Sequence, residues 1–132
     1  VTLCYLVFAS CKDGSRSMNQ AKREITEIQK EVNLGNIASY KELRIVYLDY
    51  PRENFLFWAM LMANKYDYPP AYLDVYYVLT DCFNNTLKPL MIDERTQKLA
   101  LEYLQLAREK GVEKAEEIWV SLQTSEETES SD

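Results

Sequence analysis

Histidine is absent from this 132-residue chain, and glycine and cysteine occur only three times each. Without an imidazole there is no Ser/His or Cys/His nucleophile pair, and most zinc and copper sites lose their commonest ligand. Three glycines leave no glycine-rich phosphate loop and no nucleophile elbow. The cysteines, Cys4, Cys11 and Cys82, match no metal spacing such as C-x-x-C. There is no basic run: 15 basic side chains face 21 acidic ones, for a net charge of −6. Four of those acids (Glu126, Glu127, Glu129 and Asp132) fall in the last eight residues, leaving 17 against 15 in the body. A near-neutral body gives a phosphate backbone nothing to hold, so no nucleic acid is expected. The longest apolar run of the body, Phe55–Ala63, has nine residues, where a membrane helix needs about 20. The expectation is a non-enzyme with no cofactor and no metal.

That apolar run opens the stretch around which the chain must be built. It turns at Tyr66-Asp67-Tyr68-Pro69-Pro70 and returns through Ala71–Phe83. In the returning limb, Tyr72, Tyr76, Leu79 and Phe83 make one helical stripe and Ala71, Val75, Val78 and Cys82 an adjoining one. Asp74, Tyr77 and Asp81 form the narrow strip left for water. The pattern predicts a buried helical hairpin flanked by further helices.

On its N-terminal side, Ser17 is a predicted cap for a helix reaching Val32, with Ala21, Ile25, Ile28 and Val32 inward. Asn33-Leu-Gly35-Asn36 is a C-cap and turn. A second helix spans Ile37 to about Asp49, with Tyr40, Leu43, Val46, Tyr47 and Tyr50 inward. On the C-terminal side, Asp93 starts a helix to Lys110, with Leu99, Tyr103 and Leu106 as a ridge beside Ala100, Leu104 and Ala107. Val112 to Leu122 makes a last helix with Ala115, Ile118, Trp119 and Leu122 inward. Residues 124–132 read as a disordered acidic tail. No strands are predicted. The neighbours Asp93/Glu94 and Glu116/Glu117 point about 100° apart on a helix and share no proton, so they are solvated surface. Cys82, on an apolar stripe, is an inert buried thiol.

Gly35, Asp67 and Gly111 each precede a helix, at spacings of 32 and 44 residues. Four residues after each stands a small residue (Ser39, Ala71, Ala115), and eight after a large apolar one (Leu43, Val75, Trp119). Four residues before the second and third turns stands alanine (Ala63, Ala107). Small residues let adjacent helices approach closely and large ones fill the groove between. This pattern resembles the Sel-one-like family of tetratricopeptide-type repeats. The match is clearest over KLALEYLQLAREKGVEKAEEIW (Lys98–Trp119), on Ala100, Tyr103, Ala107, Gly111 and Ala115, and extends to Trp58, Ala63, Ala71, Gly35, Leu43 and Tyr47. Asp67 stands where the family has a turn glycine. The resemblance implies an all-α fold over residues 18–123: a short antiparallel helix-pair solenoid of about six helices, used as a protein-binding scaffold.

Residues 1–11 have the form of a secretory h-region ending in small residues. Phe8-Ala9-Ser10-Cys11 resembles the bacterial lipobox, which implies lipidation of Cys11, a tether over residues 12–17 and a periplasmic, lipid-anchored location. Lys12 in place of aspartate favours the outer membrane. Ten tyrosines are the chain's compositional excess. Tyr66, Tyr68, Tyr72, Tyr76 and Tyr77 cluster at the hairpin turn and along its second limb, where tyrosine rings are expected to fill the core with their hydroxyls at its edge. The alternative is that Tyr66, Tyr68 and Tyr77, with Asp67, Asp74 and Asp81, make an exposed candidate partner-binding surface, since tyrosine flanked by fixed charge grips proteins well. The expected function is a non-catalytic lipoprotein that occludes a secreted antibacterial toxin in the periplasm, an immunity protein. The alternatives are an envelope assembly or signalling adaptor, or a hydrolase or sugar-binding enzyme subunit.

Overall fold

A computed structural model describes residues 23–51, 53–80 and 93–129. Among them the fold is all-α. Six helices follow in order: α1 (Ile25–Asn33), α2 (Ile37–Val46), α3 (Glu53–Asn64), α4 (Pro69–Thr80), α5 (Glu94–Glu109) and α6 (Glu113–Glu129), with a single 3-10 turn, Tyr47–Asp49, extending α2. They pack as hairpins, α1 on α2, α3 on α4 and α5 on α6. α4 against α5 joins the second hairpin to the third, and α3 against α1 and α2 joins it to the first.

The three turns are variations on one device. Gly35 and Gly111 have φ of 86° and 79°, and Asp67, the non-glycine with positive φ among the described residues, has 51°. Asp is one of the few L-residues that enters the left-handed region cheaply, so the three turn positions read from sequence share a backbone state. Each following helix begins two residues later, at Ile37, Pro69 and Glu113. Asn36 N–H bonds Glu31 C=O and Val112 N–H bonds Ala107 C=O, closing the first and third turns identically. In the second turn, Tyr68 N–H reaches one residue further, to Met62 C=O.

The small residues lie where the helices cross. Ala63 and Ala71 in the second hairpin, and Ala107 and Ala115 in the third, have no exposed surface. Around them Ile28, Val32, Tyr40, Leu43, Phe55, Met62, Val75, Tyr76, Tyr103 and Leu104 fill the core. The first hairpin is built differently. Glu31 occupies the place of Ala63 and Ala107, and the Ser39 hydroxyl donates to its carboxylate. Arg23 closes this polar crossing, with Nη1 on Glu31 at 2.9 Å and Nη2 on Glu42 at 2.8 Å. Hydrogen bonds from Ser39 and Arg23 hold the Glu31 carboxyl below the usual carboxylate range.

Several sequence expectations are corrected. The helix expected to run unbroken to Val32 starts afresh at Ile25, because Arg23 and Glu24 are not helical. Glu24 is extended (φ −62°, ψ 133°) and serves as N-cap, while Arg23 is drawn across to α2 by Glu42. Phe57, in the apolar limb expected to be buried nearly all round, is 62% exposed. It lies opposite Phe55, Ala59 and Met62, so α3 is covered on fewer sides than its composition implies. Tyr50, Leu99, Leu106 and Leu122, all expected inward, are partly exposed. Ala100, Tyr103, Leu104 and Ala107, also expected inward, do form the buried stripe of α5. α6 runs to Glu129, past the predicted boundary at 124. The Thr124 and Ser125 hydroxyls bond back to the Val120 and Ser121 carbonyls, and so fit within the helix.

The returning limb, expected from Ala71, instead begins at Pro69, whose missing N–H is harmless in a first helical turn. Other expectations hold. Asp93 caps α5, accepting from Arg95 and Thr96 N–H at 3.1 Å each. The expectations on residues 1–22 (lipobox, tether, Ser17 cap) and on Asp81, Cys82 and Phe83 lie outside the described residues.

Candidate functional site

The tyrosine-rich turn between α3 and α4 sits where the three hairpins meet. Tyr66 is held against the first turn: its hydroxyl donates to the Asn33 carbonyl, and its ring lies so close under Gly35 that an added Cβ would stand 2.6 Å from Cδ1. Asp67 is tied to the third turn. Its Oδ1 lies 2.6 Å from Lys110 Nζ and accepts from the Tyr72 hydroxyl at 2.8 Å. Lys110 Nζ also stands 5.2 Å from the centre of the Tyr72 ring. The turns therefore align along one edge, Gly35 to Tyr66 and Asp67 to Lys110. Bonds from Lys110 and Tyr72 hold the Asp67 carboxyl below the usual range. Burial of Tyr72, with Asp67 beside it, pushes the phenol up to about 12.

Of the six residues expected to form a partner surface, the structure brings Tyr66, Asp67 and Tyr68 together at this edge. Each already has an internal role. Tyr68 is half-buried, edge-on to Tyr40 at 5.8 Å. Tyr77 lies further along α4, half-buried, its ring 5.9 Å from that of Tyr76. Asp74 is a correction. It is 4% exposed rather than solvent-facing, accepting from the Tyr40 hydroxyl and from Arg44 Nε at 2.8 Å each. The strip expected to be wet is covered by α2, which supplies both donors. Burial raises the Asp74 carboxyl above its ordinary value despite Arg44, which pulls it down. Burial and the neighbouring Asp74 likewise raise the Tyr40 phenol.

Lys110, Tyr40, Arg44 and Asn64 were missed as partners of these groups. Asn64 and Tyr103 bond each other across α3 and α5, with Asn64 Nδ2 at 2.7 Å from the hydroxyl. At the C-terminal end of α5 a lysine is already favoured by the helix dipole, and no sequence signal pairs Lys110 with Asp67. These carboxylates and phenols are helix-to-helix struts. Large apolar side chains that are exposed include Phe57, set edge-to-face on Trp58 at 4.9 Å, and Ile37, Ile45 and Leu48 along the outside of α2 and its 3-10 extension. Among the described residues no three His, Cys, Asp or Glu side chains are grouped to hold a metal ion, and no helix is long and apolar enough to cross a membrane. Compared with known protein families, with curated proteins and with solved structures, the chain matches none. The described residues form an all-α fold of helical hairpins.

Proposed function

We propose that this chain is a non-catalytic protein-binding lipoprotein, anchored through Cys11 on the periplasmic side of a bacterial envelope. Its scaffold follows the plan of Sel-one-like repeats, and it serves as an immunity protein that occludes a secreted toxin. The observation carrying this reading is the alignment of three left-handed turns along one edge, linked by Tyr66 to Asn33 and by Asp67 to Lys110. Regularly stacked hairpins expend their polar groups on holding helices in place, and their use is to present a surface. Phe57 adds a large exposed aromatic of the kind that anchors protein interfaces.

The test is protection. Expressed with its leader, the chain should rescue cells from the periplasmic toxin encoded beside it, and should co-purify with that toxin. Phe57→Ala should weaken the complex at least tenfold without lowering the melting temperature. A gene with no adjacent effector, and a partner from the host's own envelope instead, would replace immunity by the adaptor reading. Turnover lost on changing a single carboxylate would replace both with an enzyme.

A further inference from the structure

We propose that α1 and α2 form a hinged arm that opens from the α3–α6 body as one unit about residues 47–51, with the Asp74 joint as its latch. The inference does not depend on the lipoprotein reading. The two joints between hairpins are built differently. α4 and α5 run side by side in the most extensive helix pairing among the described residues, with Ala100, Leu104 and Ala107 of α5 wholly buried. α1 and α2 touch α3 only lightly and reach α4 through side chains. Tyr40 carries most of that joint. Its ring stacks on Phe55 at 5.5 Å and stands edge-on to Tyr68 at 5.8 Å, while its hydroxyl and Arg44 Nε both end on Asp74.

Close-packed apolar helices resist separation in proportion to the area they cover. A buried ion pair does so weakly, because desolvation of its charges offsets their attraction. At Asp74 burial outweighs Arg44, since the carboxyl stands above its ordinary value. Opening returns the carboxylate, the guanidinium and the phenol hydroxyl to water, and frees the Tyr66 hydroxyl from the Asn33 carbonyl. The arm keeps its own shape when it leaves. Arg23 braces α1 to α2 through Glu31 and Glu42, Gln29 Nε2 donates to the Tyr47 hydroxyl at 3.1 Å, and Ile28, Val32 and Leu43 are wholly buried. The hinge is one strand of chain. The 3-10 turn ends at Asp49, and Tyr50 is extended (φ −114°, ψ 161°), as a residue before proline must be. Pro51 has no N–H to tie it down, and element ends of this kind absorb rigid-body rotations. Closed, the arm holds Asp74 and Phe55 at 4% exposure each. Open, it offers a partner a carboxylate and an aromatic ring that α2 otherwise occupies.

Amide hydrogen exchange of the full chain, followed by mass spectrometry in native buffer and in low urea, tests the arm. The amides of α1 and α2 should exchange through one shared opening, about tenfold or more faster than the slowest amides of α4 and α5. Their exchange should also depend less on urea, because this opening exposes less surface than global unfolding does. Tyr40→Phe keeps the ring and removes the hydroxyl bond to Asp74. It should speed α1 and α2 about tenfold and leave α4 and α5 within about twofold of the parent. Exchange of α1 and α2 at the rate of α4 and α5, with the same urea dependence, overturns the arm. So does fast exchange confined to α1, which is only a frayed end. Equal acceleration of all four helices in Tyr40→Phe overturns Asp74 as the latch.

Discussion

At the residue scale, the two glycine turns make a controlled comparison. Gly35 and Gly111 share a left-handed backbone, yet a Cβ at Gly35 would strike the Tyr66 ring and one at Gly111 would meet nothing within 4 Å. Gly111→Ala should therefore cost only the left-handed penalty, about 1–2 kcal/mol. Gly35→Ala adds displacement of a ring pinned by its hydroxyl and should cost about 3 kcal/mol, the excess being overpacking. Urea unfolding of both variants, with and without Tyr66→Leu, checks this. Equal losses would mean that Tyr66 gives way freely. Asp74 makes a second case. Its carboxyl is raised by burial, so the folded state holds its proton to higher pH than the unfolded chain does. The cost of ionising it is absent below its ordinary value of 3.8 and is fully present above the raised one. Asp67, Glu31 and Asp93 shift the other way, and the stability they contribute is lost as pH falls through their lowered values. Asp74→Asn should thus steepen the acid-side loss of stability relative to the parent. Asp74→Ala, which leaves the Tyr40 hydroxyl without an acceptor, should cost about 1–3 kcal/mol at neutral pH. An unchanged pH profile in Asp74→Asn would mean that Arg44 fully compensates burial.

At the element scale, much was legible because the signal was periodic. Gly35, Asp67 and Gly111 marked the turns, and the small residues around them marked the crossings. Asp67 was placed from its register alone and proved left-handed like its glycine counterparts. What sequence missed depends on which neighbour covers a face. Asp74 looked solvent-facing because an aspartate in a helix usually is, yet α2 lies over it with Tyr40 and Arg44. Leu99 and Leu106 looked buried, but α5 meets its neighbours through Ala100, Leu104 and Ala107. Periodicity gives a helix its faces, whereas the identity of the covering element comes from residues 30 or more positions away. The candidate site suffered most, because its carboxylates and phenols spend themselves on such distant partners. The crossings can be tested directly. Ala107→Leu should destabilise by about 1–3 kcal/mol, because Ala107 and Ala115 have no free surface. In the first hairpin, replacing Glu31 and Ser39 together by alanine recreates the apolar crossing of the other two hairpins. That double variant should be nearer the parent in thermal stability than Glu31→Ala alone, which leaves Arg23 and Ser39 without their shared acceptor. A double variant less stable than the single one would show that the polar crossing contributes stability of its own.

At the scale of the whole molecule, the question is whether three hairpins behave as one cooperative body or as a row in which each feels only its neighbour. In a row, stability divides into the units and the interfaces between them, and a cut at one interface stays local. Two links at the turn edge can be cut without touching the core: the Tyr66 hydroxyl to Asn33 and the Asp67 carboxylate to Lys110. Tyr66→Phe loosens the first joint and Asp67→Asn the second, the latter keeping a residue that tolerates positive φ. Amide hydrogen exchange should then accelerate over α1 and the first turn in Tyr66→Phe, and over the end of α5 and α6 in Asp67→Asn, with the α3–α4 core slowest in both. High salt should reproduce the second effect and spare the first, since the Asp67 side chain is 69% exposed and an exposed ion pair is screened where a neutral hydrogen bond is not. Uniform acceleration over all six helices in either variant would show a single cooperative core instead.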